Sequence, residues 1–170
     1  QSKTIIAVAE EMVKAFRRGN KALLFGNGGS AADAQHIACE LQGKFYQKRE
    51  PLAALALTTN TSILTAIAND YGFEEVFVRQ VKALVKKGDI AIGLSTSGNS
   101  PNVLKALIEA KNLGAITIGL TGKGGKLKNI ADYALSVPSG ETPRVQEAHI
   151  ILGHIICSLV EDALFGNKKK

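Results

Sequence analysis

Five short apolar runs, each five or six residues long, alternate along this chain with segments whose apolar residues recur at three- and four-residue intervals. The runs are Lys21–Phe25, Leu52–Leu57, Ile90–Leu94, Ile116–Leu120 and Tyr133–Val137. Each is apolar on successive rather than alternate residues, so both faces of the strand it forms must be covered. The intervening segments supply that cover. Helical spacing runs over 4–18 (Ile5, Val8, Met12, Ala15, Phe16), from the Gly26–Ser30 turn to about Gln42, over 61–68, 74–87 and 101–113, briefly over 126–130, and over 142–164. The alternation predicts an α/β protein with a three-layer, doubly wound, five-stranded parallel sheet of flavodoxin-like order. In such sheets ligands bind beyond the carboxyl ends of the strands.

At 170 residues the chain has the size of one domain, able to bury roughly two-thirds of its unfolded surface. Only 5% of residues are aromatic and Trp is absent, which suits close helix–sheet packing with small residues at the contacts. No apolar stretch is expected to reach the ~18–20 residues of a membrane helix, so no membrane partner is expected. Gln1 to Arg18 is amphipathic and charged, unlike a signal peptide. The absence of an initiator Met points to residues upstream and a shortened first helix. Cys39 and Cys157 sit in apolar helical patterns without a spacing motif. They are expected to be buried and reduced, which implies a cytoplasmic location. The net charge of +6 is spread along helices, apart from the terminal run Lys168-Lys169-Lys170. Without a continuous patch carrying stacking aromatics, nucleic acid is not an expected partner. The charge reads as solvated surface that mildly steers an anionic substrate.

Two strand-to-helix turns hold most of the chemistry. In Ser95-Thr96-Ser97-Gly98-Asn99-Ser100, four hydroxyls in six residues follow an apolar run, and Pro101 is placed to open the next helix. Such a turn aims backbone N–H groups, hydroxyls and the positive end of the helix dipole at one point, a cradle for a phosphate dianion. The same composition also makes ordinary turns. Gly26-Asn27-Gly28-Gly29-Ser30 lets backbone approach a ligand closely, yet matches neither the dinucleotide nor the P-loop glycine pattern, which disfavours NAD and ATP.

His36 and Glu40 lie at i, i+4 on one helix face, a spacing that serves either helix stability or half a metal site. On the residues alone His154, deepest in the apolar run Ile150–Ile156, reads as a core histidine. Gln146 lies eight residues before it, ~12 Å along the helix axis and about 80° around it, with His149 closer to Gln146. Asn69-Asp70 after a helix reads as a cap and turn or as a pair for sugar hydroxyls.

Together, Gly26 to His36, Ser95 to Ser100 and Thr142-Pro143-Arg144-Val145-Gln146-Glu147 resemble the sugar isomerase (SIS) domain, and within it the heptose-phosphate isomerase branch. The resemblance spans residues 1–170 as a single SIS domain. It implies that Asn27, Gly28, Gly29, Asn69 and Asp70 line the sugar site and that Ser95, Thr96, Ser97 and Ser100 hold the phosphate. Glu40 and Gln146 would also contact substrate. It further implies Glu40 as catalytic base and His154 as acid in an aldose–ketose isomerisation. One zinc ion per subunit would be held by His36, Glu40, Gln146 and His154. A homotetramer with shared active sites is implied as well. Two alternatives stay open. One is another sugar-phosphate isomerase on the same fold. The other is a non-catalytic SIS regulator resembling the DnaA initiator-associating protein, which works through a protein partner.

Overall fold

A computed structural model describes residues 1–166. The terminal run Lys168-Lys169-Lys170 lies outside them. The described residues fold as α1 (Ser2–Arg17), β1 (Ala22–Gly26), α2 (Gly29–Gln42), β2 (Ala54–Ala56), α3 (Thr61–Tyr71), a 3-10 turn (Phe73–Glu75), α4 (Val78–Leu84), β3 (Ile90–Ser95), α5 (Pro101–Asn112), β4 (Ile116–Thr121), α6 (Leu127–Ile130), β5 (Tyr133–Ser136) and α7 (Thr142–Phe165). The sheet is parallel throughout, in the order β2-β1-β3-β4-β5. This is the doubly wound order predicted from the alternation.

Burial on both faces is visible within one strand. Ala22 and Leu24 of β1 join the core under α1, α2 and α7 with Val8, Met12 and Ile156. Leu23 and Phe25 join the opposite core under α4 and α5 with Phe77, Val81 and Leu107. Gly93 in the central strand shows why the chain is rich in small residues. A Cβ there would lie 2.8 Å from Leu107 and 2.9 Å from Val103, so glycine lets α5 settle onto the sheet.

The chain leaves β1 for β2 on one side and returns to β3 on the other, so the winding reverses between β1 and β3. Gly26 pairs with Leu94 across that junction. The two chemistry-bearing turns therefore emerge side by side at the carboxyl edge, the place where doubly wound sheets open a crevice.

Four expectations are corrected. The helix expected over 74–87 is a 3-10 turn followed by the short α4. It ends early because Asp89 accepts the Lys86 backbone N–H at 2.8 Å, which draws the chain out of helical geometry toward β3. Asn69 and Asp70 belong to the last turn of α3, which continues to Tyr71 and is stopped by Gly72 at φ 93°. Cys39 is exposed on the side of α2 facing the edge strand β2, while Cys157 is buried and both are free. Finally, α7 is by length and composition apolar enough to cross a membrane. Here it lies along α1 and α2 and carries buried Glu161 and His149.

Glu161 anchors the loop after α2. It accepts the N–H groups of Phe45 (3.0 Å), Tyr46 (2.7 Å) and Gln47 (2.9 Å) and the Arg49 Nε at 3.0 Å. Burial alone would push its pKa up, but these four donors outweigh it and hold the carboxyl below the ordinary range. A depressed folded pKa contributes stability that is present above the unfolded value, about 4.3, and lost as pH falls through the folded one. Glu161→Gln should lower stability at pH 7 by about 3 kcal/mol, since Arg49 is left buried without its counter-charge. It should also flatten the loss of stability below about pH 4.3. Denaturant titrations of both proteins across pH 3–7 check the two effects.

Candidate functional site

The first turn is shaped by Gly28, whose φ of 56° and ψ of −122° form a conformation that side chains other than glycine's rarely allow. Gly28 is also the N-cap of α2 and supplies no side-chain cap. Gly29 follows directly under Gln146 of α7, and any side chain at 29 would collide with the Gln146 amide. Asn27 ends the strand-to-turn step with its amide bonded to that of Asn102 on α5.

The second turn leaves β3. Ser95 Oγ lies 2.9 Å from Ser100 Oγ and 3.5 Å from Ser97 Oγ, so three hydroxyls share one spot. Ser100 occupies the N-cap of α5 but makes no capping bond, because its hydroxyl faces Ser95. The first-turn N–H of Val103 is instead taken by the Asn102 side chain at 2.9 Å, which leaves the Ser100 hydroxyl free of capping. Gly98, at φ 66°, packs so tightly against Gly124 and Gly125 that a Cβ would overlap them. That contact fixes the turn against the loop after β4. Asn27, Phe73, Glu74, Ser100, Pro101 and Asn102 line an adjoining cavity of about 330 Å³.

A second group forms where α2 lies along α7. His36 Nε2 is 3.1 Å from Glu40 Oε1 and 3.3 Å from His154 Nε2. One ligand atom from each of the three lies within 4.8 Å of the others, an arrangement able to hold a metal ion. The Phe45 ring stacks 5.4 Å from the His154 ring, and Arg49 donates to the Glu40 carbonyl at 2.8 Å. The loop that Glu161 anchors therefore walls this group.

His154 is not the core histidine its sequence setting suggests. It is half-buried, while His149 is fully buried with neither ring nitrogen hydrogen-bonded. Helix phase decides this: five residues apart, the two rings lie about 140° apart around α7, so His149 points at the sheet and His154 at α2. Burial holds the His149 pKa below its ordinary value and keeps the ring neutral, against a smaller opposing pull from the Thr121 backbone. Asp33, on the α2 face, has its carboxyl pushed up by burial, opposed by nearby His36.

The fold thus brings Asn27, Gly28, Gly29, Gln146, Ser95, Thr96, Ser97 and Ser100 to the carboxyl edge, and His36, Glu40 and His154 to a separate cluster. Gln146, expected as a fourth metal ligand, rests over Gly29. Asn69 and Asp70 are exposed and bond each other at 2.8 Å, with no hydrogen bond to either group among the described residues. Asn102, Phe45, Arg49 and Glu161 escape a reading of the sequence, because their partners lie far away in it.

The collision at Gly29 involves only the far end of a flexible side chain. Gly29→Ala should therefore displace Gln146 at little cost to the fold. Sugar-phosphate binding is expected to weaken about tenfold, with a melting temperature changed by no more than ~2 °C. Calorimetric titration and a melting curve check the pair of outcomes.

The SIS domain family profile matches residues 1–122. The phosphoheptose isomerase of Aquifex aeolicus is 61% identical over 159 residues, covering 93% of this chain and 83% of that protein. The solved phosphoheptose isomerase of Neisseria gonorrhoeae superposes with a TM-score of 0.89 at 46% identity, covering 94% of this chain and 86% of its own. That of Francisella tularensis gives 0.90 at 39%, with the same coverage. With its doubly wound sheet and both motif turns in place, the chain belongs to the SIS domain family, within the phosphoheptose isomerases.

Proposed function

We propose that this chain is an aldose–ketose isomerase that interconverts sedoheptulose 7-phosphate and D-glycero-D-manno-heptose 7-phosphate through an enediol, a step toward heptose nucleotide precursors. The observation that carries the reading is the convergence of Glu40 with His36 and His154, a carboxylate beside two imidazoles. Isomerisation needs a base to move a proton between neighbouring carbons and an acid to move one between their oxygens.

In the ketose-to-aldose direction Glu40 takes a proton from C1, and that electron pair forms the C1–C2 double bond. The C2 carbonyl oxygen takes a proton from His154. The C1 hydroxyl then returns a proton to His154 as C1 becomes the carbonyl, and C2 receives its proton from Glu40. Ser95, Thr96, Ser97 and Ser100 hold the phosphate, whose binding energy orients the distant reacting carbons. Asn27, Gly28, Gly29, Asn69, Asp70 and Gln146 meet the sugar.

The donor set suits zinc: two imidazole nitrogens and a carboxylate oxygen face one another, and Gln146 would have to leave its place over Gly29 to join them as a fourth ligand. A zinc ion held there would supply Lewis acidity toward the substrate oxygens. A carboxylate shared with a metal is a weaker base, so Glu40 serves best where its bond to the ion is labile.

We also place the active protein as a cytoplasmic homotetramer with shared sites, with neither nucleic acid nor membrane as partner. Glu40 lies eleven residues beyond Gly29, roughly 16 Å along α2, so one chain's glycine turn, and the phosphate turn beside it, are remote from its own base. Beside the cluster, Ile151 and Ile155 of α7 are 58% and 41% exposed, the kind of apolar face that a second copy covers.

Purified protein should turn over sedoheptulose 7-phosphate, and an assay with chelator and then added zinc should show loss and recovery. A folded tetramer inactive in both conditions would sink the reading and favour a regulator. Glu40→Gln should abolish turnover by at least 10³-fold while leaving circular dichroism and melting unchanged. Near-normal rates would remove Glu40 as the base.

A further inference from the structure

We infer that Asn102, a buried residue outside the assigned sugar and phosphate sites, is a positioning residue that sets which atoms Asn27 presents to the sugar. The inference rests on the isomerase reading above. Asn102 lies in the first turn of α5 and is 2% exposed. Its Nδ2 donates to Asn27 Oδ1 at 2.9 Å, and Asn27 Nδ2 donates back to Asn102 Oδ1 at 2.9 Å. The two residues are 75 positions apart, on turns that leave neighbouring strands.

An isolated pair of amides could equally be flipped together, exchanging every donor for an acceptor. A third contact breaks that symmetry here. The Val103 backbone N–H points at Asn102 Oδ1 from 2.9 Å, and a backbone N–H only donates. The oxygen of Asn102 must therefore face Val103, which turns its nitrogen toward Asn27. Asn27 is then obliged to offer its oxygen to Asn102. The reciprocal pair uses one N–H and one lone pair of Asn27, and its second N–H is left for a ligand. Asn27 lines the crevice with Ser100 and Phe73. The group it offers is thus a donor of fixed direction, suited to a hydroxyl, carbonyl or enediolate oxygen of a polyol phosphate. The orientation is set from beneath by the α5 backbone rather than by the ligand.

Asn102→Asp keeps the shape and still accepts from Val103, but sets a second oxygen against Asn27 Oδ1. The expected result is a KM raised about tenfold, which is one lost well-placed donor, with a smaller change in kcat. A purely structural role for Asn102 would give that loss in any background. If Asn102 acts through Asn27, then adding Asn102→Asp to Asn27→Ala should change KM less than twofold. Kinetics of wild type, both single variants and the double variant make the test, with melting curves on all four. Should Asn102→Asp not fold, Asn102→Ser removes the same pair and takes its place in the cycle. Equal losses in both backgrounds, or an unchanged KM in the single variant, overturn the inference.

A wild type without turnover defeats the isomerase reading. The same cycle is then read from calorimetric dissociation constants for sedoheptulose 7-phosphate, where non-additivity sustains the role of Asn102 and additivity removes it. A wild type that also fails to bind this sugar overturns both.

Discussion

The close approach of α2 to α7 is the contact on which the rest of this structure depends. Gly153 of α7 permits it, lying against Ile37 of α2, where a Cβ would come within 2.6 Å of Ile37 Cδ1. With a side chain at this point the helices would stand farther apart, as packed helices do when their contact residues are larger. The 3.3 Å approach of His36 to His154 would then be lost. Because α2 starts at the carboxyl edge of β1, the same contact also draws Gln146 over the glycine turn. One packing decision therefore serves both the cluster and the crevice.

Well-partnered carboxylates and crevice groups are partitioned across the molecule. Asp89 and Asp132 stand before β3 and β5, at the amino ends of their strands. Asp89 gathers the side chains of Asn20 and Lys21 and the N–H groups of Lys21 and Lys86, and Asp132 binds Thr117 and Lys111. Burial works against both, yet their donors hold both pKa values below the ordinary range. Glu161 does the same beyond the end of α2. At the carboxyl edge, by contrast, the Ser95, Ser97 and Ser100 hydroxyls cluster together, Ser100 at the N-cap of α5 makes no capping bond, and an Asn amide keeps a free donor. Satisfied polar groups stabilise the fold, and incompletely satisfied ones remain available to a ligand.

Much of the fold was legible in the chain because its signals are local. Runs such as Ile90–Leu94 are too apolar for a one-sided sheet, and Gly19 and Pro101 mark helix ends where the structure has them. Apolar spacing failed where a polar side chain intervened: Asp89, three residues on, takes the Lys86 N–H and shortens α4. Phase along α7, set by its packing on the sheet, exchanges the expected roles of His149 and His154. The apolar character of α7 is also greater than a count of consecutive apolar residues suggests, because polar residues are widely spaced along it.

What the sequence by itself determined is the set of parts: parallel strands, two ligand-bearing turns at their carboxyl ends, and a His/Glu pair one helical turn apart. Each follows from spacing within a dozen residues, where backbone geometry leaves few choices. Only the tertiary structure decided which parts meet. It joined His154 to His36 across 118 positions, Asn102 to Asn27 across 75, and Glu161 to the loop at 45–49. Such contacts depend on how closely whole helices pack. That distance is set by the collective filling of the core rather than by any residue's own preference.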